Sequence, residues 1–275
     1  MLPEVFFDLF IEELKAMPDL QAYYKFLNEP KSWHFRRNYF LTRLRYIKKY
    51  IVDTRQPGEN INIWDCGCGY GTTCLYLAMN GIQTYGTTLE FYMNYIDKRK
   101  QYWSSFGDST LFSAGYEYLF DNPPPPAVYD WVIVQDTLHH LEPLNDAIQI
   151  FKRAIKTGGK ILAIEENGSS FIKRIMGYRQ RGNKRIIEIW DEKLQKKILI
   201  GNENIRSFKT WEKIMEHNGF SIIPGSRQHI RFFWPWRYRF TSPEKLLAKE
   251  QAIQQRNDFR SKYFFMGVNF VAEKI

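Results

Sequence analysis

The most informative stretch of this chain, residues 61 to 71, reads Ile-Asn-Ile-Trp-Asp-Cys-Gly-Cys-Gly-Tyr-Gly. Its first half predicts a short buried strand that ends at Asp65, and glycines follow at positions 67, 69 and 71. Residues 72–78 (TTCLYLA) then predict the opening of a helix. Such a strand, glycine turn and helix form a place where a ligand can approach bare backbone. The spacing D-x-G-x-G-x-G differs from the G-x-G-x-x-G of dinucleotide-binding turns.

Strand and helix patterns alternate from this turn onward. The alternation predicts a parallel sheet with helices on both faces, which is an α/β fold. The strand over 129–135 (YDWVIVQ) is apolar enough to be central, and the last strand is expected to pair antiparallel at the sheet edge. The predicted strands span residues 61–65, 82–87, 110–114, 129–135, 160–165, 220–223 and 263–273, and the predicted helices 72–78, 89–103, 144–155 and 208–218.

Two motifs together resemble the class I S-adenosylmethionine-dependent methyltransferases. The first is the acid followed by G-x-G-x-G at Asp65 to Gly69. The second is Gln135-Asp136-Thr137-Leu138-His139-His140-Leu141, because the family's fourth strand often runs into a segment ending Leu-His-His-Leu. The resemblance covers about residues 60–167. It implies a Rossmann-like, doubly wound, mostly parallel sheet of seven strands, with S-adenosyl-L-methionine as the cofactor.

The resemblance also implies where the cofactor binds. In the family an acid at the tip of the second strand binds the ribose hydroxyls; here Glu90 is the first candidate and Thr88 the alternative. The family's acid for the adenine amino group is replaced by tyrosine, which leaves Glu117 or Tyr116 for that contact. The cofactor-binding candidates are Asp65, Gly67, Cys68, Gly69, Thr88, Glu90, Tyr116, Glu117, Gln135 and Asp136.

The catalytic candidates are His140, His139 and Glu166, at the ends of the fourth and fifth predicted strands. Methyl transfer from a sulfonium is an in-line displacement, so the enzyme mainly aligns the nucleophile with the methyl carbon. A hydroxyl acceptor also has to lose its proton, for which a histidine is suited. We prefer His140 as this base. No cluster of residues has convincing metal-ligand spacing, so the sequence predicts metal independence.

Composition limits the kind of protein and the kind of partner. The chain has 275 residues, 17% aromatic and 25% charged, which is typical of a soluble globular protein. Three clustered cysteines do not suggest a disulfide framework, and neither a signal peptide nor an apolar membrane span is evident. We therefore expect a cytoplasmic protein. The net charge of +9 favours acidic partners: a nucleic acid, an anionic membrane surface contacted peripherally, or a phosphorylated carrier.

The remaining segments are candidates for the substrate pocket. Residues 1–55 predict a helical arm or lid, and 56–275 a methyltransferase domain with cap insertions at about 168–206 and 226–262. Within the second insertion, the aromatic and arginine residues of 227–240 suit either an anionic, partly apolar substrate or a strand pair with one buried face. The leading hypothesis is O-methylation of a small-molecule, lipid-like or carrier-bound acceptor. RNA or tRNA methylation and a non-catalytic partner subunit are the alternatives, and the oligomeric state is left open.

Overall fold

The alternating strand patterns form a central sheet in the computed structural model, which describes residues 1–89, 93–256 and 258–275. Seven strands follow one another in the order β3-β2-β1-β4-β5-β10-β8, and the short β9 also pairs with β10. The strands are β1 Asn62–Cys66, β2 Gln83–Thr88, β3 Phe112–Tyr116, β4 Tyr129–Gln135, β5 Ile155–Glu166, β8 Phe220–Ile222, β9 Gln228–Ile230 and β10 Gly267–Lys274, with β6 Ile186–Asp191 and β7 Lys196–Gly201 forming a separate hairpin.

The α/β prediction is confirmed, because β1 to β5 pair in parallel and helices cover the sheet. The helices are α1 Pro3–Ala16, α2 Pro18–Tyr24, α3 Trp33–Ile47, α4 Thr72–Ala78, α5 Met93–Trp103, α6 Leu144–Ala154, α7 Phe171–Arg181, α8 Phe208–His217, α9 Pro243–Gln255 and α10 Phe259–Tyr263. None of the helices within the described ranges is long and apolar enough to cross a membrane.

Two hydrophobic clusters lie on opposite faces of the sheet. Ile63 of β1 and Ile133 of β4 enter one cluster, while their neighbours Trp64 and Val132 enter the other. This follows from the two-residue period of a strand, which sends successive side chains to opposite faces. The helices α1 to α5 contribute to the first cluster, and α6 and α8 to the second. The side-chain pattern thus places the ligand turn after β1 between two packed layers.

The predicted position of the last strand is wrong in one respect. As predicted, β10 is antiparallel, but it lies inside the sheet between β5 and β8 instead of at the edge. The physical reason is its composition: Val268, Phe270, Val271 and Ala272 are all completely buried. A strand that is apolar along its whole length needs cover on both faces and neighbours on both sides.

Both predicted insertions contain secondary structure of their own. Residues 168–206 hold α7 and the hairpin of β6 and β7, and residues 226–262 hold β9, α9 and most of α10. The hairpin is a second sheet, since β6 and β7 pair antiparallel from Ile186 opposite Gly201 to Asp191 opposite Lys196. An isolated bridge between Leu141 and Ile200 joins the hairpin to the segment that follows β4.

Candidate active site

The glycine turn after β1 has a backbone that only glycine adopts easily. Gly67 and Gly69 have φ values of +87° and +53°, a region that most side chains avoid. The amides of Gly67 and Cys68 donate to the carbonyl of Thr87 at 2.8 and 2.9 Å, which fixes the turn against β2. A Cβ at Gly67 would overlap Thr137, whereas at Gly69 it would meet nothing within 4 Å. The turn therefore exposes bare backbone at Gly69.

A cavity of about 760 Å³ adjoins this turn. Its wall includes the carboxyl ends of β1, β2, β3 and β4, parts of the N-terminal helices and the β6–β7 hairpin. Ligands of open α/β sheets bind at this end of the strands. The predicted cofactor residues that line the cavity are Gly67, Cys68, Gly69, Thr88, Tyr116, Glu117, Gln135 and Asp136.

Two predicted cofactor residues, Asp65 and Glu90, are not among the described residues of the cavity wall. Asp65 is buried behind the turn, where its Oδ2 accepts a hydrogen bond from the Cys74 thiol at 3.4 Å. Its Oδ1 has no partner among the described residues. Burial raises the pKa of this carboxyl to about 7, because a charge is costly away from water. Glu90 lies outside the described residues, so the choice between it and Thr88 stays a prediction.

The adenine candidates after β3 already have protein partners. The hydroxyl of Tyr116 donates to Asp191 of the hairpin at 2.8 Å, and the Lys193 ammonium lies 4.1 Å from the Tyr116 ring centroid. Glu117 accepts a hydrogen bond from the Tyr85 hydroxyl at 2.5 Å. The hairpin is thus attached to the strand end that precedes the predicted adenine contact.

Asp136 connects the end of β4 to the helical arm. It has a φ of +49°, and its Oδ2 accepts a hydrogen bond from Arg43 of α3. Partial burial by itself would raise the pKa of the Asp136 carboxyl, but Arg43 and Arg231 outweigh it and the pKa is lowered. Its Oδ1 has no hydrogen-bond partner among the described residues. The carboxylate is therefore ionised, and one of its oxygens can still accept a hydrogen bond.

The two adjacent histidines have different surroundings. His139 is buried, and its Nδ1 lies 2.5 Å from Glu165 Oε2. Burial would lower the pKa of His139, but Glu165 raises it to about 9, so this imidazole is a cation at neutral pH. His140 lines the cavity, and its Nδ1 lies 2.7 Å from the carbonyl oxygen of Gly201 on β7. Of the two, only His140 belongs to the cavity wall.

Glu166, the third catalytic candidate, lies outside the cavity wall. It forms ion pairs with Lys173 of α7 and Arg231 of the second insertion, both at 2.8 Å. Its neighbour Glu165 accepts hydrogen bonds from the amides of Thr137 and Leu138 at 3.0 and 2.7 Å, besides holding His139. The two carboxylates at the end of β5 thus contact the surrounding segments.

One group of potential metal ligands was not anticipated from the sequence. His139, His140 and Glu203 each place one ligand atom within 4.8 Å of the others. A metal here would have to displace the proton that Glu165 stabilises on His139, and metal binding requires a neutral imidazole. Metal independence therefore stays our prediction.

Sequence reasoning named the segments that form the rest of the cavity wall, but not their individual wall residues. Tyr23, Tyr24, Phe40, Arg43 and Leu44 come from the helical arm. The residues from the hairpin are Ile189, Trp190, Asp191, Glu192, Lys193, Ile198, Leu199 and Ile200. The only available signal was the position of these segments before and after the sheet strands, since neither carries a motif.

Comparison with known proteins agrees with this geometry. Residues 64–163 match the model of the methyltransferase domain family. This range therefore carries a methyltransferase domain, in agreement with the resemblance to the class I S-adenosylmethionine-dependent methyltransferases. The matched range starts in β1 and ends in β5, so it contains the glycine turn and both histidines. Among curated proteins, none is significantly similar to this methyltransferase in sequence.

Solved structures share the methyltransferase fold at low sequence identity. A SAM-dependent methyltransferase from Methanosarcina mazei is 15% identical, with 82% of this chain and 96% of that chain covered and a TM-score of 0.53. Geranyl diphosphate C-methyltransferase from Streptomyces coelicolor is 14% identical (88% and 81% covered, TM-score 0.59). Phosphoethanolamine N-methyltransferase 2 from Haemonchus contortus is 15% identical (85% and 52% covered, TM-score 0.56).

The residues of this methyltransferase fit S-adenosylmethionine as its cofactor. The turn leaves open space at Gly69, where a side chain would project from the cavity wall. Asp136 presents an oxygen without a hydrogen-bond partner in the described part of the chain, and buried polar atoms of this kind normally have one. Both features lie where a cofactor with a positive charge and polar groups would bind.

Proposed function

We propose that this enzyme methylates a hydroxyl of a small-molecule, lipid-like or carrier-bound acceptor, with His140 as the general base. The observation that carries the proposal is the position of His140. It lines the cavity that contains the glycine turn, and its Nδ1 faces the Gly201 carbonyl at 2.7 Å. A base that takes a proton from the acceptor needs such a place in the wall.

In this proposal the contact of Nδ1 with Gly201 leaves Nε2 of His140 to act as the base. A carbonyl oxygen only accepts hydrogen bonds, so Nδ1 must carry the proton and donate it. In the neutral imidazole Nε2 is then the acceptor. S-adenosylmethionine supplies an electrophilic methyl group on a sulfonium. The protein holds the acceptor in line with that methyl and removes the hydroxyl proton onto Nε2.

The charges of the cavity wall favour a small-molecule acceptor over a nucleic acid. Among the described residues, five carboxylates line the cavity, from Glu117, Asp136, Glu142, Asp191 and Glu192, against the cations of Arg43 and Lys193. A nucleic-acid site would need the opposite balance. Apolar and aromatic side chains make up much of the remaining wall, which suits an apolar or aromatic acceptor. Solved relatives named for geranyl diphosphate and phosphoethanolamine also point to small-molecule acceptors.

We assign the acceptor side of the cavity to the arm, residues 1–55, and to the first insertion, about 168–206. Both contribute wall residues, among them Phe40 and Trp190. The second insertion, about 226–262, contributes none of the described wall residues. Its Arg231 instead pairs with Glu166 and stacks on Tyr39 of α3, 4.5 Å from the ring centroid. In this proposal the second insertion supports the arm and does not touch the acceptor.

The role of His140 is tested with His140→Asn. The asparagine amide can still donate to the Gly201 carbonyl, but no base remains at the position of Nε2. We expect kcat to fall by about 10²- to 10⁴-fold, while affinity for S-adenosylhomocysteine, measured by calorimetry, stays unchanged. His217 is exposed at the end of α8, so His217→Asn is the matched control. Undiminished turnover in His140→Asn would exclude His140 as the base.

The acceptor class is tested by transferring labelled methyl from S-adenosylmethionine into an extract of the source cells. The extract is then separated into organic-soluble, small-molecule, protein and RNA fractions. Label in the organic-soluble, small-molecule or carrier-protein fraction is the expected result. Label confined to RNA would contradict the proposed acceptor and support the RNA methylation hypothesis.

A further inference from the structure

Helix α7 exposes an apolar stripe. Phe171, Ile175 and Tyr178 are spaced by four and three residues, so they lie on one helical face, and they are 40%, 57% and 60% exposed. The face opposite this stripe packs on the protein through the buried Gly177. A helix of a water-soluble domain normally directs its apolar face to the core. The stripe of α7 points outward instead.

The stripe continues onto the neighbouring α10. The Phe171 ring stacks on Tyr263 with centroids 5.1 Å apart, and it lies 5.8 Å from Phe259. Phe259 is itself 58% exposed. We call Phe171, Ile175, Tyr178 and Phe259 the α7 patch. A contiguous exposed apolar patch on a soluble protein usually marks an interaction surface.

The charges of the α7 segment are all of one sign, although the exposed Asp258 precedes Phe259 on α10. Residues 168–187 contain no Asp or Glu, and their cations are Lys173, Arg174, Arg179, Arg181, Lys184 and Arg185. Arg174 and Arg179 flank the stripe on its two sides and are exposed. Neither forms an ion pair with a residue in the described ranges, whereas Lys173 is engaged by Glu166. A basic rim around an apolar centre is complementary to an anionic surface with an apolar interior.

We propose that the α7 patch docks this methyltransferase on an anionic phospholipid bilayer. The exposed aliphatic side chain of Ile175 and the aromatic rings would enter the headgroup and acyl boundary, and Arg174 and Arg179 would meet the lipid phosphates. An aliphatic centre favours a bilayer over a nucleic acid, which would be bound by aromatic stacking and cations. Each cation near such a surface increases membrane partitioning by about fivefold.

Docking at this patch has a consequence for the cavity. Four residues, 182–185, connect α7 to β6, and Ile189 and Trp190 of β6 line the cavity wall. The segment that would contact the bilayer therefore leads directly into the hairpin that covers the cavity. The docking itself requires no methyl transfer, so it is independent of the proposed base and acceptor.

The test is co-sedimentation of the full chain with vesicles of phosphatidylcholine, with and without phosphatidylserine. We expect retention on the vesicles that contain phosphatidylserine, weakened by salt. Ile175→Glu should reduce this retention at least about tenfold. Val5→Glu is the matched control, because Val5 is a 48% exposed aliphatic residue on α1, and it should bind as the unaltered protein does. Thermal unfolding should be the same in both variants.

Three results would overturn the proposal. One is the absence of retention on phosphatidylserine vesicles, and another is equal retention of Ile175→Glu and Val5→Glu. The third is retention on RNA, but not on vesicles, that Ile175→Glu abolishes, since the patch would then be a nucleic-acid surface.

Discussion

Arg99 of α5 donates two hydrogen bonds to Glu13 of α1, at 2.8 and 2.7 Å, and both side chains are completely buried. The same guanidinium donates to the carbonyl of Tyr70 at 2.7 Å and to the Thr72 hydroxyl at 2.8 Å. Arg99 therefore joins the helical arm to the glycine turn. The arm is part of the support of the cofactor site as well as part of the cavity wall.

Removing the charge of Glu13 should destabilise the fold strongly. In Glu13→Gln the buried guanidinium of Arg99 loses its counter-charge, and breaking one partner of a buried pair costs about 3–5 kcal/mol. Glu12→Gln is the control, since Glu12 forms an exposed pair with Lys15 that is worth at most about 1 kcal/mol. Urea unfolding measures the free energy of unfolding of both variants. Equal free energies of unfolding in the two variants would show that the pair does not hold the arm.

Gly69→Val should abolish cofactor binding while the protein stays folded. A Cβ at Gly69 meets no protein atom within 4 Å, but the residue lies in the cavity wall with a φ of +53°. The expected loss of stability is the backbone strain alone, about 1–3 kcal/mol. Affinity for S-adenosylhomocysteine should fall at least about 100-fold, because the valine side chain occupies ligand space.

Gly58→Val is the control that separates the effect of backbone strain from the loss of the cofactor site. Gly58 has a φ of +79° with nothing within 4 Å of an added Cβ, and it lies in an exposed loop away from the cavity. The Gly58→Val protein should lose about as much stability as Gly69→Val does, but it should bind the cofactor normally. If Gly69→Val binds S-adenosylhomocysteine as well as Gly58→Val does, the cofactor is not at this turn.

The His139–Glu165 pair predicts a fall of stability in mild alkali. Burial opposes the charge of His139, but Glu165 raises its pKa to about 9, above the unfolded value of about 6.5. The folded state therefore binds the extra proton in this window, and stability is lost as the pH rises from about 6.5 to about 9. This difference in the pKa of His139 corresponds to about 3 kcal/mol in the free energy of unfolding.

The pH dependence is measured as thermal unfolding of the unaltered protein and of His139→Gln across that range. His139→Gln is expected to be less stable at neutral pH, since Glu165 loses its cation, and to show a flatter profile. Identical slopes in the two proteins would mean that His139 is neutral in the folded state.

Asp191→Ala should loosen the hairpin over the cavity. Its carboxylate accepts hydrogen bonds from the amides of Lys193 and Leu194 at 3.0 and 2.8 Å, and from the Tyr116 hydroxyl at 2.8 Å. We expect faster hydrogen exchange over residues 186–201 and an increase of about tenfold or more in the KM for the acceptor. Glu188→Ala is the control on the same hairpin, because among the described residues the Glu188 carboxylate has only an exposed 3.5 Å contact with Lys197. Equal exchange in both variants would show that Asp191 does not hold the hairpin.

The sheet and the turn could be predicted because their signals are local. Apolar strands, the glycines at 67 and 69, and the segment around His139 and His140 each depend on neighbours in sequence. The difference between the two histidines could not be predicted in this way. It arises from Glu165 and Gly201, which are 26 and 61 residues away along the chain.

The hairpin could not be predicted for a similar reason. Its strands lie in a polar insertion and pair only with each other in the described sheets. One of the contacts that place it over the cavity joins Tyr116 to Asp191, which are 75 residues apart. The Arg99 contacts with Glu13 and Tyr70 span 86 and 29 residues of sequence. Long-range polar contacts of this kind leave no periodic pattern.

The interior position of β10 also affects the order in which the chain can fold. Gly267 of β10 pairs with Glu166 of β5, which lies 101 residues earlier in the chain. Within the described sheet, β8 and β9 pair with β10 alone. Until β10 is in place, the edge of β5 is an open template for incorrect strand pairing. Such distant pairing also slows folding. The stage most prone to aggregation is therefore the interval in which β5 is formed and β10 has not yet joined it.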